Sequence, residues 1–183
     1  MEKQLVNYNI PYERFNAIKT KRFGALGCTK SHCQVLKKAM EQNLKNVLIL
    51  EDDFDFTINR NAFESIMTTV FNTDFNWDVI LLTANMKVLK STKVSQPYLQ
   101  KVTDAQIAAA YIINGHYISK LFNRLNEGAF LLEKHGKKFT RTYINDQYWK
   151  ELQKTDNWYI TNPILGIQRE DYSDIEEKNV KYY

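Results

Sequence analysis

Asn46-Val47-Leu48-Ile49-Leu50-Glu51-Asp52-Asp53-Phe54-Asp55-Phe56 constrains this chain more than any other stretch. Val47 to Leu50 are four consecutive aliphatic residues, a short apolar run that reads as a strand buried on both faces. The run breaks without a spacer into four carboxylates within five residues. In open α/β sheets the carboxyl ends of buried strands are where ligand sites lie. Alternate residues of extended backbone point the same way, so Glu51 and Asp53, or Asp53 and Asp55, face one ligand together. Like charges held so close are costly without a cation or proton between them, and a divalent metal on oxygen ligands relieves the repulsion. The plainer alternative is a solvated acidic loop.

The 183 residues make one expected domain, 1–183, long enough to bury a proper core. A net charge of +4, with Lys and Arg dispersed along the chain, gives no argument for nucleic acid. No apolar h-region follows Met1-Glu2-Lys3-Gln4, and no run approaches the roughly 20 apolar residues of a membrane span. Two cysteines, Cys28 and Cys33, make no disulfide framework. A reducing, cytoplasmic compartment is therefore expected.

In chain order, a short helical segment runs to Tyr8, Ile10-Pro11 turns, and Tyr12 to Ile18 is extended. Gly24 to Ser31 reads as a loop entering a helix at Thr29, with His32, Val35, Leu36, Ala39 and Met40 at helical spacing. Such an entry offers backbone N–H groups to an anion. Cys28, His32 and Cys33 supply too few ligands for zinc, so a buried thiol and a hydrogen-bonded core histidine are the plainer reading. Arg60 to Asn72 is an amphipathic helix, and Val79 to Thr83 a second buried strand. Together with the first strand these predict a βαβ unit with a parallel pair. Met86 to Lys101 is polar and irregular, Val102 to Asp104 a short strand, and Gln106 to Ile113 a third apolar strand followed by a helix to Lys134. Tyr143 to Trp149 starts another helix, capped by Asn145 or Asp146. Trp158 to Thr161 is a strand that Ile164 to Gln168 continues past Pro163.

Gly27-Cys28-Thr29-Lys30-Ser31-His32, followed by a helix and a strand ending in Glu51-Asp52-Asp53, resembles glycosyltransferase family 25, which includes lipooligosaccharide-biosynthesis and procollagen galactosyltransferases. Further resemblances fall in order along nearly the whole chain: Tyr8 to Ile18, Trp77 to Leu82, Ala110-Tyr111-Ile112-Ile113 with Gly115, and the series Asp146, Pro163, Gln168 and Ser173-Asp174-Ile175-Glu176.

The resemblance implies an α/β, GT-A-like (Rossmann-like) mixed sheet flanked by helices, here without the family's first strand, so that a neighbouring strand edge is left open. It also implies a nucleotide-diphosphate sugar donor such as a UDP-hexose, Mn2+ or Mg2+, and inverting transfer to a hydroxyl of a glycan or protein. Glu51 and Asp53 are the expected metal ligands. Gly27, Ser31, His32 and Asp52 are the expected donor-binding residues, and Asp146 the catalytic base. Two alternatives stand beside this. Asp53-Phe54-Asp55-Phe56-Thr57, with Thr83, also fits the D-x-D-x-T pattern of haloacid-dehalogenase-like phosphatases, with Asp53 as nucleophile. A GT-A-like module that binds a sugar or a partner without turnover is the other.

Overall fold

The computed structural model describes residues 1–169, 171–173 and 178–180. The elements are α1 (Glu2–Asn7), α2 (Gly24–Glu41), β1 (Asn46–Leu50), β2 (Phe54–Phe56), α3 (Arg60–Asn72), β3 (Val79–Leu81), β4 (Lys90–Lys93), β5 (Leu99–Asp104) and β6 (Ala110–Asn114). They continue with α4 (Ile118–His135), α5 (Thr140–Tyr143), α6 (Asn145–Tyr148), α7 (Lys150–Thr155), β7 (Trp158–Thr161), β8 (Gly166–Gln168), β9 (Asp171–Ser173) and β10 (Lys178–Val180).

Six strands form a mixed sheet in the order β1-β6-β3-β7-β5-β4. Only β3 and β7 run parallel, and the other four pairs are antiparallel. The central strands β6, β3 and β7 are buried almost throughout, as their β-branched and aromatic residues require. Their period of two splits the core into two layers. Val79, Leu81, Tyr111, Ile113 and Ile160 pack against Cys33, Leu36 and Ala39 of α2 and Leu121 and Leu125 of α4. Ile80, Leu82, Ala110 and Ile112 turn the other way and meet Phe63, Ile66, Met67 and Val70 of α3. Asn59 starts α3 by accepting the N–H of Ala62 at 2.9 Å, a side-chain N-cap.

Several expectations are corrected. β1 is an edge strand in which only Ile49 is buried. It does not pair with β3, because the apolar strand β6 inserts between them and runs antiparallel to both. The parallel βαβ pair is therefore absent. Among the described residues no strand precedes β1, and its outer edge carries no partner. The polar stretch from Met86 holds a hairpin, β4 with β5. The third apolar run is strand only from Ala110. Ile164 to Gln168 does not continue β7. Its last three residues form β8, which pairs antiparallel with β2 as a separate small sheet.

Helix α2 begins at Gly24 with Phe23 as N-cap, and not at Thr29. Thr29 lies inside the helix and donates its hydroxyl to Ala25 O at 2.9 Å. The glycines suggested a loop because glycine is a poor helix former. Gly27 is there for a different reason: a Cβ at this position would sit 2.4 Å from the carbonyl oxygen of Ile18. The incoming chain crosses the first turns of the helix at backbone distance.

Candidate active site

The site lies where the first turns of α2, the end of β1, the turn after it, and α6 converge. Helical spacing turns Cys28 and His32 toward the sheet, where His32 is 5% exposed. Its Nδ1 is 2.7 Å from Tyr111 Oη and its Nε2 is 2.9 Å from Glu51 Oε1. Burial, then Glu51, holds the Tyr111 hydroxyl well above its ordinary pKa, so Tyr111 keeps its proton and donates to Nδ1. Nε2–H then donates to the Glu51 carboxylate, which fixes the tautomer. His32 is thus the rod that aims Glu51.

Cys28 Sγ lies 3.9 Å from Glu51 Oε1 and 3.7 Å from Asn145 Nδ2. Burial pushes this thiol well up, and Glu51, Asp146 and Asp53 add to the shift through their negative charge, so Cys28 stays a neutral thiol. Cys28 Sγ, His32 Nε2 and Glu51 Oε1 lie within 4.8 Å of one another. Cys33 belongs instead to the core layer. The bonds of His32 to Glu51 and Tyr111 account for this cluster as a hydrogen-bonded core.

The turn after β1 separates the carboxylates. Glu51 points to α2, while Asp55 accepts from Gln4 Nε2 at 2.5 Å and lies 3.7 Å from Arg169 Nε. Asp52 is exposed, and its carbonyl accepts from Arg169 Nη2 at 2.8 Å. Asp53 accepts from Gln168 Nε2 at 2.7 Å through Oδ2, while its Oδ1 is buried with no hydrogen-bond partner among the described residues. Burial raises the Asp53 carboxyl to about 6; Gln168 opposes the shift, and Glu51 and Asp52 reinforce it. A buried carboxylate oxygen without a partner, within the electrostatic reach of Glu51 and Asp52, is one that a hard cation would satisfy. Asp53 Oδ1 thus offers an oxygen donor to a divalent cation, and Glu51 a second carboxylate within its electrostatic reach.

Asp146 is raised chiefly by burial; the Ile107 N–H pulls it back and Glu51 raises it further. Its Oδ2 accepts from Ile107 N at 2.9 Å, and its Oδ1 is 3.5 Å from Gln147 Nε2. Asp146 is not a helix cap: the four-residue α6 has Ile144 at its N-cap, without a side-chain bond.

Of the residues singled out in the sequence, Glu51, Asp53 and Asp146 all lie within electrostatic reach of Cys28, and His32 is bonded to Glu51. Gly27 and Ser31 face elsewhere: Ser31 Oγ accepts from Ile18 N and donates to Gly27 O, both at 2.8 Å, tying the crossing segment to α2. The N–H groups after Gly27 are helical and do not form an open anion cradle. In the sequence Tyr111, Gln168 and Ile107 carry no assigned chemistry, and Asn145 only that of a helix cap. Tyr111 had a signal, since a tyrosine in an otherwise aliphatic strand needs a partner for its hydroxyl. The match at residues 174–176 lies outside the described residues.

A family model, "Glycosyltransferase family 25 (LPS biosynthesis protein)", matches residues 22–131. Procollagen galactosyltransferase 1 of Danio rerio is 25% identical over 118 residues, covering 64% of this chain and 18% of the relative. The chain thus spans about a fifth of the length of that relative. The match begins at the crossing into α2, takes in Cys28, His32, Glu51 and Asp53, and ends within α4. It removes the phosphatase alternative, whose second aspartate, Asp55, is in any case hydrogen-bonded to Gln4 and ion-paired with Arg169. The mixed six-stranded sheet flanked by helices is consistent with a GT-A-like arrangement. The chain belongs to glycosyltransferase family 25.

Proposed function

We propose that the chain moves a sugar from a nucleotide-diphosphate donor, a UDP-hexose in the simplest case, to a hydroxyl of a glycan or protein, with inversion. The observation that carries this reading is the orphaned Oδ1 of Asp53, within the electrostatic reach of Glu51 and inside the family match. Glu51 and Asp53 would hold Mn2+ or Mg2+, which when bound supplies positive charge to a diphosphate leaving group. The chain's own residues do the rest. His32, backed by Tyr111, keeps Glu51 from swinging away. Gln168 holds Asp53 by one oxygen and leaves the other without a partner. Asp146 is anchored through Oδ2 on Ile107 N. Its raised pKa makes the carboxylate a better proton acceptor for the incoming hydroxyl.

The test is turnover of UDP-galactose, UDP-glucose and UDP-N-acetylglucosamine, with and without manganese, on wild type and Asp53→Ala. Metal-dependent release of UDP that disappears in the variant supports the reading. Binding of a nucleotide-sugar without turnover identifies a non-catalytic module instead.

A further inference from the structure

The fold gathers cations that look dispersed in the sequence. Residues 19–22 carry three, and residues 133–141 carry four with one glutamate. The two stretches lie more than a hundred residues apart but meet in space. Arg22 Nη1 donates to Glu133 O at 2.5 Å, and Lys30 Nζ lies 3.0 Å from Glu133 Oε1. Beneath them Leu26, Ala129 and Leu132, with Phe23 and Tyr143, form a small apolar cluster separate from the main core. Lys19, Lys21, Lys134 and Lys138 are exposed on this face. Beside them Phe130, one turn before Lys134 on α4, is 62% exposed, more than any other aromatic among the described residues.

We propose that this face docks the protein on an anionic membrane surface, with the lysines among the headgroup phosphates and Phe130 at the boundary with the acyl chains. A bilayer interface satisfies both features together, whereas charge alone leaves Phe130 in water. Single-stranded nucleic acid needs a row of exposed rings to stack on. Here Phe23, Phe139 and Tyr143 are half-buried under the cations. Tyr143 leads directly into Ile144-Asn145-Asp146, so the docking face borders the Asp146 side of the site. The inference concerns binding and stands apart from the transfer reaction.

The experiment is co-sedimentation of the full chain with vesicles of phosphatidylcholine alone and of phosphatidylcholine with phosphatidylglycerol, across a salt series. Each basic residue near an anionic surface strengthens partitioning by about fivefold. Binding to the anionic vesicles is therefore expected to be at least about tenfold stronger and to fall steeply with salt. Lys134→Glu/Lys138→Glu is expected to weaken it at least about tenfold, and Lys87→Glu/Lys93→Glu, around β4, by no more than about twofold. Phe130→Ser is expected to weaken the binding that persists at high salt. Equal binding to both vesicle types overturns the proposal. So does equal loss in the two charge-reversal pairs, or tighter binding to a single-stranded oligonucleotide that the Lys134/Lys138 pair abolishes. All the substituted side chains are exposed, and circular dichroism checks that each variant is folded.

Discussion

The carboxylate of Asp146 accepts the backbone N–H of Ile107 at 2.9 Å, and Ile107 is a β-branched residue at φ 82°. That conformation costs roughly 1–3 kcal/mol and persists only where surroundings over-determine it. They do here. Gln153 Oε1 accepts from Ala105 N at 2.8 Å, Trp149 Nε1 donates to Ala105 O at 3.2 Å, and Ala109 O accepts from Glu51 N at 2.8 Å. The loop between β5 and β6 is clamped between α6–α7 and the end of β1. Asp146 thus has a structural duty at one oxygen and, on the proposed reading, a chemical one at the other.

Substitution separates the two duties. Asp146→Asn keeps an oxygen for the Ile107 N–H, whereas Asp146→Ala leaves that donor bare. Chemical denaturation should find the alanine variant less stable by about 2 kcal/mol and the asparagine variant within about 1 kcal/mol of wild type. If Asp146 is the base, both lose transfer activity by about a hundredfold or more. An asparagine variant of near-normal rate would leave Asp146 with the structural duty only.

Metal binding is readable without turnover. At about a hundred times its dissociation constant, manganese should stabilise wild type by ~2.7 kcal/mol, a rise in melting temperature of about 5–10 °C for a chain of this size. EDTA should reverse the shift. Glu51→Ala and Asp53→Ala should melt at temperatures that manganese leaves unchanged.

Gly166 links the small sheet to this site. A Cβ there would lie 2.2 Å from Phe54 Cζ and 2.4 Å from Asp55 O, and the second of these is backbone that cannot swing aside. Gly166→Ala should force β8 away from β2 at a cost of about 1–3 kcal/mol. Gln168, at the far end of β8, then loses its 2.7 Å grip on Asp53. Denaturation midpoints check the first effect. A weaker manganese shift, despite intact Glu51 and Asp53, checks the second.

The parts of the fold legible in the sequence are those with local causes. Arg60 to Asn72 shows its apolar face within one window, and α3 has those bounds. Val47 to Leu50 reads as a strand from four residues and is one, although its half-exposed edge position depends on β6, some sixty residues later. Sheet order is set by which strands are apolar enough for the centre, a comparison across the whole chain. The site divides in the same way. Glu51 and Asp53 stand out by their own spacing, but the partners that aim them, Tyr111 and Gln168, are 60 to 115 residues away, and no local pattern says which carboxylate each serves. Gly27 misled because its reason, the Ile18 carbonyl crossing α2, is tertiary.

At the end of α7, Asp156 predicts how stability follows pH. Its Oδ2 accepts from Tyr117 Oη at 2.5 Å and lies 2.7 Å from Lys120 Nζ. Burial pushes its carboxyl up, but the bonds from Lys120, Tyr117 and Thr155 together carry it below the ordinary value. A carboxyl held lower in the folded state than in the unfolded one stabilises the protein above the unfolded pKa. That contribution disappears as pH falls through the folded value. Asp156→Asn should therefore cost about 1–2 kcal/mol near neutrality, where it leaves Tyr117 and Lys120 without their carboxylate. The gap between wild type and variant should close as the pH drops below about 4, the unfolded carboxyl range. Urea midpoints measured from pH 7 to pH 3 give the two curves. Curves that stay parallel down to pH 3 would mean that the charge on Asp156 contributes nothing and that the hydrogen bonds act as they would with an amide.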